Sequence, residues 1–213
     1  MMQERTIYIV DDDPAARKSV AMLVETMGIA TETFASGEEF LSAFDESRGG
    51  CLVTDLRMLG MTGIELQENL ASRGSKLPVI IITAYADVPL AVRAMKSGAV
   101  TFLEKPCRNE ELWDAIREAL ARDAENRRLH AKRVDVESRL ARLSQKERLL
   151  MDKLLAGKTH KVISQELDIS IRTVETRRNK ILSKMQTDTL VELGRLIAEM
   201  KTSGLADSSS KPS

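Results

Sequence analysis

The stretch Ile7-Tyr8-Ile9-Val10-Asp11-Asp12-Asp13-Pro14 sets the reading of the chain. An unbroken apolar run ended by three carboxylates and a proline describes a short buried strand that leaves the interior and turns into a helix. Pro14 suits the first turn of that helix, where its missing N–H costs nothing, with Asp13 ahead of it as cap. Val20, Leu23, Val24 and Met27 then recur at helical spacing, and Gly28 closes the helix. The alternation continues downstream. Ala30–Phe34, Cys51–Thr54, Val79–Ile82 and Thr101–Leu103 are short, apolar or β-branched, and bounded by Gly, Pro or Asp. Ser36-Gly37-Glu38-Glu39 is a capping box opening the second helix. Strands alternating with helices predict an α/β domain, a doubly wound five-stranded parallel sheet covered on both faces.

That domain accounts for residues 1–120 of 213, and the rest is enough for a second one. No proline occurs between Pro106 and Pro212, and no glycine between Glu110 and Leu143, so a helix starting near Asn109 can run on as a long helical linker over residues 121–143. Leu129, Val136 and Leu143 recur every seventh residue with Leu140 beside them, which fits either a short coiled-coil seam or a solvated helix. Residues 144–201 read as all-helical, and the Ser- and Gly-rich residues 202–213 as a disordered tail. The formal net charge of zero conceals an asymmetry. Residues 1–120 carry 12 basic and 19 acidic side chains, residues 121–143 carry 7 and 4, and residues 144–213 carry 13 and 9. Any polyanionic partner is therefore expected at the back of the chain.

Composition narrows the remaining classes. Apolar residues make up 43% and charged residues 30%, ordinary for a globular protein, while 3% aromatic content predicts an aliphatic core. No run approaches the about 18 apolar residues of a membrane span, and the N-terminus lacks a signal-peptide pattern, so a cytoplasmic location without a membrane partner is expected. Cys51, Cys107, His130 and His160 are too few and too scattered for a zinc site, and the two thiols read as structural.

In an open parallel sheet, functional groups gather beyond the carboxyl ends of the strands. Asp11 and Asp12 follow the first strand, Asp55 the third, Thr83 ends the fourth, and Lys105 lies past the fifth. Carboxylates supply hard oxygen ligands for Mg2+, a hydroxyl can bond a phosphoryl oxygen, an ammonium can neutralise it, and one carboxylate can be a nucleophile. Individually each residue has a plainer role: helix cap, turn, strand or surface. Chance has to place all of these types at strand ends for the plainer roles to hold together.

Here the sequence resembles the receiver domain of response regulators, especially the FixJ type, across residues 5–120. The resemblance is carried by Ile9-Val10-Asp11-Asp12-Asp13, Thr54-Asp55-Leu56-Arg57-Met58, Ile81-Ile82-Thr83-Ala84, Gly98-Ala99-Val100 and Phe102-Leu103-Glu104-Lys105-Pro106. It implies a flavodoxin-like fold in which Asp55 accepts phosphate from a sensor histidine kinase, with self-catalysed transfer and hydrolysis rather than a free-standing enzyme activity. It further implies Mg2+ bound by Asp12, Asp55 and the Arg57 carbonyl with help from Asp11, phosphoryl contacts from Thr83 and Lys105, and a switch role for Phe102. A homodimer formed on phosphorylation, with Val92 and Lys96 on its face, follows from the same resemblance. Two positions depart from the pattern: Leu59 stands where proline is usual, and Cys107 where an aromatic is usual.

The back of the chain carries its own signals. Ser144-Gln145-Lys146-Glu147 is a capping box, followed by Leu149, Leu150, Leu154 and Leu155 on one expected helical face and a stop at Gly157. A second helix is expected over about 159–167, with Val162, Ile163 and Leu167 inward. Asp168-Ile169-Ser170 makes a turn into a third over Ile171 to about Met185, with Val174, Ile181, Leu182 and Met185 inward. Residues 143–196 resemble the LuxR/NarL-type helix-turn-helix, through Leu155-Ala156-Gly157-Lys158, Ile169-Ser170, Arg172-Thr173-Val174-Glu175 and Lys184-Met185. The resemblance implies double-stranded DNA as partner, base reading by the third helix, and a fourth helix over about 189–200 that packs or dimerises. Arg172, Glu175, Thr176 and Asn179 face outward toward DNA, Glu175, Thr176 and Asn179 as base contacts, with Lys161, Arg177, Arg178 and Lys180 as phosphate contacts. The whole reads as a phosphorylation-dependent DNA-binding transcriptional regulator, with RNA polymerase as a further candidate partner. The alternative is a phosphorelay intermediate or phosphate sink whose helical part mediates protein contacts. Coupling through dimerisation and coupling through release of an inhibitory contact are both open at this stage.

Overall fold

A computed structural model describes residues 5–84 and 87–208, and it divides into two compact units, Met1–Arg127 and Arg128–Ser213. In the first, β1 (Arg5–Val10), α1 (Pro14–Glu25), β2 (Ala30–Phe34), α2 (Gly37–Ala43), β3 (Gly49–Asp55), α3 (Gly63–Ser72), β4 (Val79–Thr83), α4 (Val88–Lys96), β5 (Thr101–Glu104) and α5 (Asn109–Ala141) alternate as expected. All neighbouring strands pair in parallel, in the order β2-β1-β3-β4-β5. Successive side chains along a strand point to opposite faces, so each strand feeds two cores. Ile7, Ile9, Cys51, Val53, Ile80 and Ile82 meet α1 and α5 on one face, whereas Tyr8, Val10, Leu52, Val79 and Ile81 meet α2, α3 and α4 on the other.

Two expectations need correction here. The core is aliphatic on the first face only: Tyr8, Phe34, Phe40 and Phe44 form one contiguous aromatic cluster on the second, with ring centroids 5.0 to 5.5 Å apart. Strand β3 starts at Gly49, two residues ahead of the sequence reading, which treats a glycine pair as punctuation. Gly50 pairs with Thr6 of β1, and only glycine fits there, because a Cβ would lie 1.8 Å from the Thr6 carbonyl oxygen, at φ +145. Its N–H donates at 3.1 Å to the buried Asp123 carboxylate of α5, which Arg127 also holds at 3.1 Å. Both cysteines are free, and burial pushes the Cys51 thiol well up, which keeps it protonated and inert.

The second unit contains the end of α5 and α6 (Gln145–Leu155), α7 (His160–Glu166), α8 (Ile171–Met185) and α9 (Leu190–Ser208). Ser144, Thr159 and Ser170 cap α6, α7 and α8 by accepting from the N–H three residues on. The turn into α8 passes through Asp168 at φ 49, a conformation that Asp tolerates better than most residues. Val136 and Leu143, each 5% exposed, join this unit's core beside Leu140, while Leu129 is 41% exposed, so the heptad spacing serves packing inside the unit. Leu149 and Val162 were expected inward but are exposed; Met151 fills the α6 core position instead. The tail expected to be disordered from Thr202 is helical to Ser208, since nothing before Pro212 forbids continuation and Leu205 and Ala206 favour it. Residues 209–213 lie outside the described residues.

Candidate functional site

Strand register assembles the first site. Val10 pairs with Thr54, Asp55 with Ile82, and Thr83 with Glu104, so Asp11, Asp55, Thr83 and Lys105 reach the carboxyl edge of the sheet together. Lys105 Nζ lies 2.7 Å from Asp11 Oδ2 and 2.7 Å from Asp55 Oδ1. The second oxygen of Asp55 accepts from the Arg57 N–H at 2.6 Å, and that of Asp11 from the Asp13 N–H at 2.9 Å. Both carboxylates and Thr83 are buried. Burial pulls the Lys105 ammonium down, but hydrogen bonds and charge from Asp11 and Asp55 outweigh this and hold its pKa above the ordinary value. The centre of the site is thus an ammonium kept protonated between two buried carboxylates.

The three consecutive aspartates have separate jobs. Asp13 caps α1, accepting from the Ala15 N–H at 2.9 Å. Asp11 faces Lys105. Asp12 Oδ2 accepts from the Leu59 N–H at 3.0 Å, across to the loop after β3. Among the described residues no three acidic, His or Cys side chains are gathered so as to hold a metal ion. The expected set of Asp11, Asp12, Asp55 and the Arg57 carbonyl has the hard-oxygen chemistry that suits Mg2+, with Asp12 turned aside to Leu59.

Sequence reasoning missed two contributors. Arg17 of α1 donates to the Asp11 carbonyl oxygen, and its signal was the basic pair Arg17-Lys18 in the first turns of the helix that the acidic run opens. Gly63 starts α3 against the site: a Cβ there would lie 2.3 Å from the Asp55 carbonyl oxygen, so α3 can approach only with glycine. Phe102 is half-buried beside the aromatic face, in register with Ile81. Val92 and Lys96 are exposed on α4, together with Val88 and Met95.

In the second unit α8 buries Val174, Ile181, Leu182 and Met185 and presents Arg172, Glu175, Thr176, Asn179 and Lys180 to solvent; Lys161 of α7 is exposed, and Arg177 and Arg178 are half-buried. Arg178 donates to Asn179 Oδ1 at 3.1 Å. His160 Nδ1 stands 4.0 Å from Glu175 Oε1, joining α7 to the outer face of α8. Beneath that face, Lys184 of α8 reaches the buried Glu147 of α6 at 2.7 Å. The Lys184 bond, then the Ser144 N–H, hold the Glu147 pKa down at about 2.

Comparison with known proteins agrees with both halves. Residues 7–117 match the response regulator receiver domain, and residues 141–197 match the bacterial regulatory proteins of the luxR family. The transcriptional regulatory protein FixJ of Azorhizobium caulinodans is 42% identical over 196 residues, covering 92% of this chain and 93% of its own length. The response regulator protein TodT of Pseudomonas putida is 39% identical over 198 residues, covering 92% and 87%. The solved structure of the response regulator StyR gives a TM-score of 0.83 at 36% identity and covers 92% of this chain and 99% of StyR. A five-stranded parallel sheet with an acidic, lysine-bridged edge, followed by a helical unit in which α6, α7 and α8 are each capped and α8 has a polar outer face, together with these matches, places this chain in the FixJ-type response regulators of two-component systems, a receiver domain joined to a luxR-type DNA-binding domain.

Proposed function

We propose that Asp55 is the phosphoacceptor and that its phosphorylation by a histidine kinase controls DNA binding and transcription. The observation that carries this is the pairing of Asp55 with Lys105 at the carboxyl edge of the central strand. An Asp55 oxygen attacks the phosphorus of the kinase's phosphohistidine, an O–P bond forms as the P–N bond breaks, and the electron pair stays on the imidazole nitrogen. Lys105 is in place to balance the new charge, Thr83 to donate to a phosphoryl oxygen, and Arg17 to hold the loop that carries Asp11. Mg2+ held by Asp11, Asp12, Asp55 and the Arg57 carbonyl would neutralise phosphoryl oxygens. Hydrolysis of the acyl phosphate is self-catalysed at the same residues, and the protein turns over no separate substrate.

Residues 1–120 act as receiver, 121–143 as helical linker and 144–201 as DNA-binding domain. In the last, Arg172, Glu175, Thr176 and Asn179 face DNA and Glu175, Thr176 and Asn179 read bases, while Lys161, Arg177, Arg178 and Lys180 hold phosphates. The exposed apolar residues of α4, with Val92 and Lys96, form the dimer face. Among the described residues no helix is long and apolar enough to cross a membrane, which suits a cytoplasmic, DNA-binding role. Incubation with acetyl phosphate and Mg2+ should add one acid-labile phosphate and tighten DNA binding, and Asp55→Asn should abolish both. Full labelling of the Asp55→Asn protein would refute the assignment.

A further inference from the structure

We infer that the backbone N–H of Leu59 is a latch that holds Asp12 away from the metal site and lowers the protein's affinity for Mg2+. The inference rests on the proposed role of Asp12 as a ligand. The bond joins residues 47 apart in sequence, from the loop after β1 to the loop after β3. It is a backbone device, because the Leu59 side chain is 83% exposed and holds nothing in place.

The donor's position is set from both sides. Arg57 N–H is tied to Asp55 Oδ2 at 2.6 Å, and Gly63 N–H to the Leu56 carbonyl at 3.0 Å, so the segment between them presents the Leu59 N–H toward Asp12. Asp12 is half-exposed and bonded at that oxygen, while the other two carboxylates face Lys105. To join a cation held by Asp11 and Asp55, Asp12 must turn, and turning gives up a charge-assisted hydrogen bond. Any residue but proline supplies this N–H, since proline alone has none. The residue type at position 59 therefore tunes metal affinity through its backbone, and metal binding releases the loop beside the acceptor.

Calorimetric titration with Mg2+ alone, on the full chain, tests this. Leu59→Pro should bind Mg2+ at least about tenfold tighter than the wild type, the worth of one net hydrogen bond to a charged group. Leu59→Ala, which keeps the N–H, should match the wild type. Replacing Leu59 by its α-hydroxy acid keeps the side chain and deletes only the N–H; it should reproduce the proline result even if proline distorts the loop. In the wild type the Leu59 amide proton should be protected from exchange without Mg2+ and lose protection as Mg2+ saturates. Asp12→Asn should bind Mg2+ at least about tenfold more weakly. If Asp12→Asn weakens binding but the proline and ester variants bind like the wild type, the latch is wrong and the ligand role stands. If Asp12→Asn binds like the wild type, the ligand role itself fails and takes the latch with it. Tighter binding by Leu59→Ala would also overturn the latch, because it would trace the effect to the side chain.

Discussion

Lys105 Nζ lies 2.7 Å from Oδ1 of Asp55, reaching from beyond β5 past β4 to the end of β3, and shares its ammonium with Asp11. The acceptor is therefore already paired with the cation that has to balance its phosphoryl group. Replacing that cation leaves two buried carboxylates facing each other. Lys105→Met should destabilise the receiver by about 3 kcal/mol and slow labelling by acetyl phosphate by about 100-fold. Denaturant unfolding and a labelling time course measure the two effects, and wild-type labelling kinetics would remove Lys105 from the reaction.

Gly63 separates packing at the site from backbone freedom elsewhere. A Cβ at Gly63 meets the Asp55 carbonyl at 2.3 Å, whereas one at Gly74 meets nothing within 4 Å and faces only the φ of +81. Gly63→Ala should cost about 2 kcal/mol through displacement of α3 from β3 and should slow labelling as well. Gly74→Ala should cost about 1 kcal/mol and label normally.

Val88, Val92 and Met95 expose 76%, 47% and 48% of their surface on α4, an apolar stripe suited to burial against a second copy. Sedimentation of the phosphorylated protein should show a shift from monomer toward dimer, and Val92→Asp should block both the shift and tight DNA binding. Tight binding by a phosphorylated monomer would instead favour release of an inhibitory contact.

Glu147 ties the stability of the second unit to pH. Its folded pKa of about 2 lies below the ordinary 4.5 because Lys184 and the Ser144 N–H stabilise the carboxylate. The contribution is complete above about pH 4.5 and is lost as pH falls toward 2. Glu147→Gln should lower stability by about 2 kcal/mol at neutral pH, and its deficit against the wild type should shrink across that acid window. A constant deficit down to pH 2, the folded value, would assign the loss to packing.

The hydrogen bond from Arg178 to Asn179 Oδ1 couples two proposed DNA contacts. Asn179 can offer both its oxygen and its nitrogen to an adenine only when Arg178 turns away, as it would toward a phosphate. Asn179→Ala should relax base preference, at about 1–3 kcal/mol for the lost contact. Arg178→Ala should weaken binding to all sequences and flatten its salt dependence. Equal losses on cognate and random DNA for both variants would refute this division.

The alternation of strands and helices, the caps at Asp13, Ser36, Ser144 and Ser170, and the inward stripe of α8 were all legible in the sequence. These are local or periodic properties, in which spacings of 2 and 3.6 residues assign each side chain a face without reference to the rest of the chain. The residue types gathered at the strand ends were legible for the same reason. Tertiary structure alone decided which of the other two aspartates meets Lys105 and which turns to Leu59. It likewise decided that Gly49 and Gly50 extend β3 rather than end a loop, that Leu149 and Val162 face outward while Met151 faces in, and that Val136 and Leu143 pack within the second unit. Hydrogen-bond partners and close approaches are set by strand register and by which elements meet, and those join residues tens of positions apart that no local pattern connects.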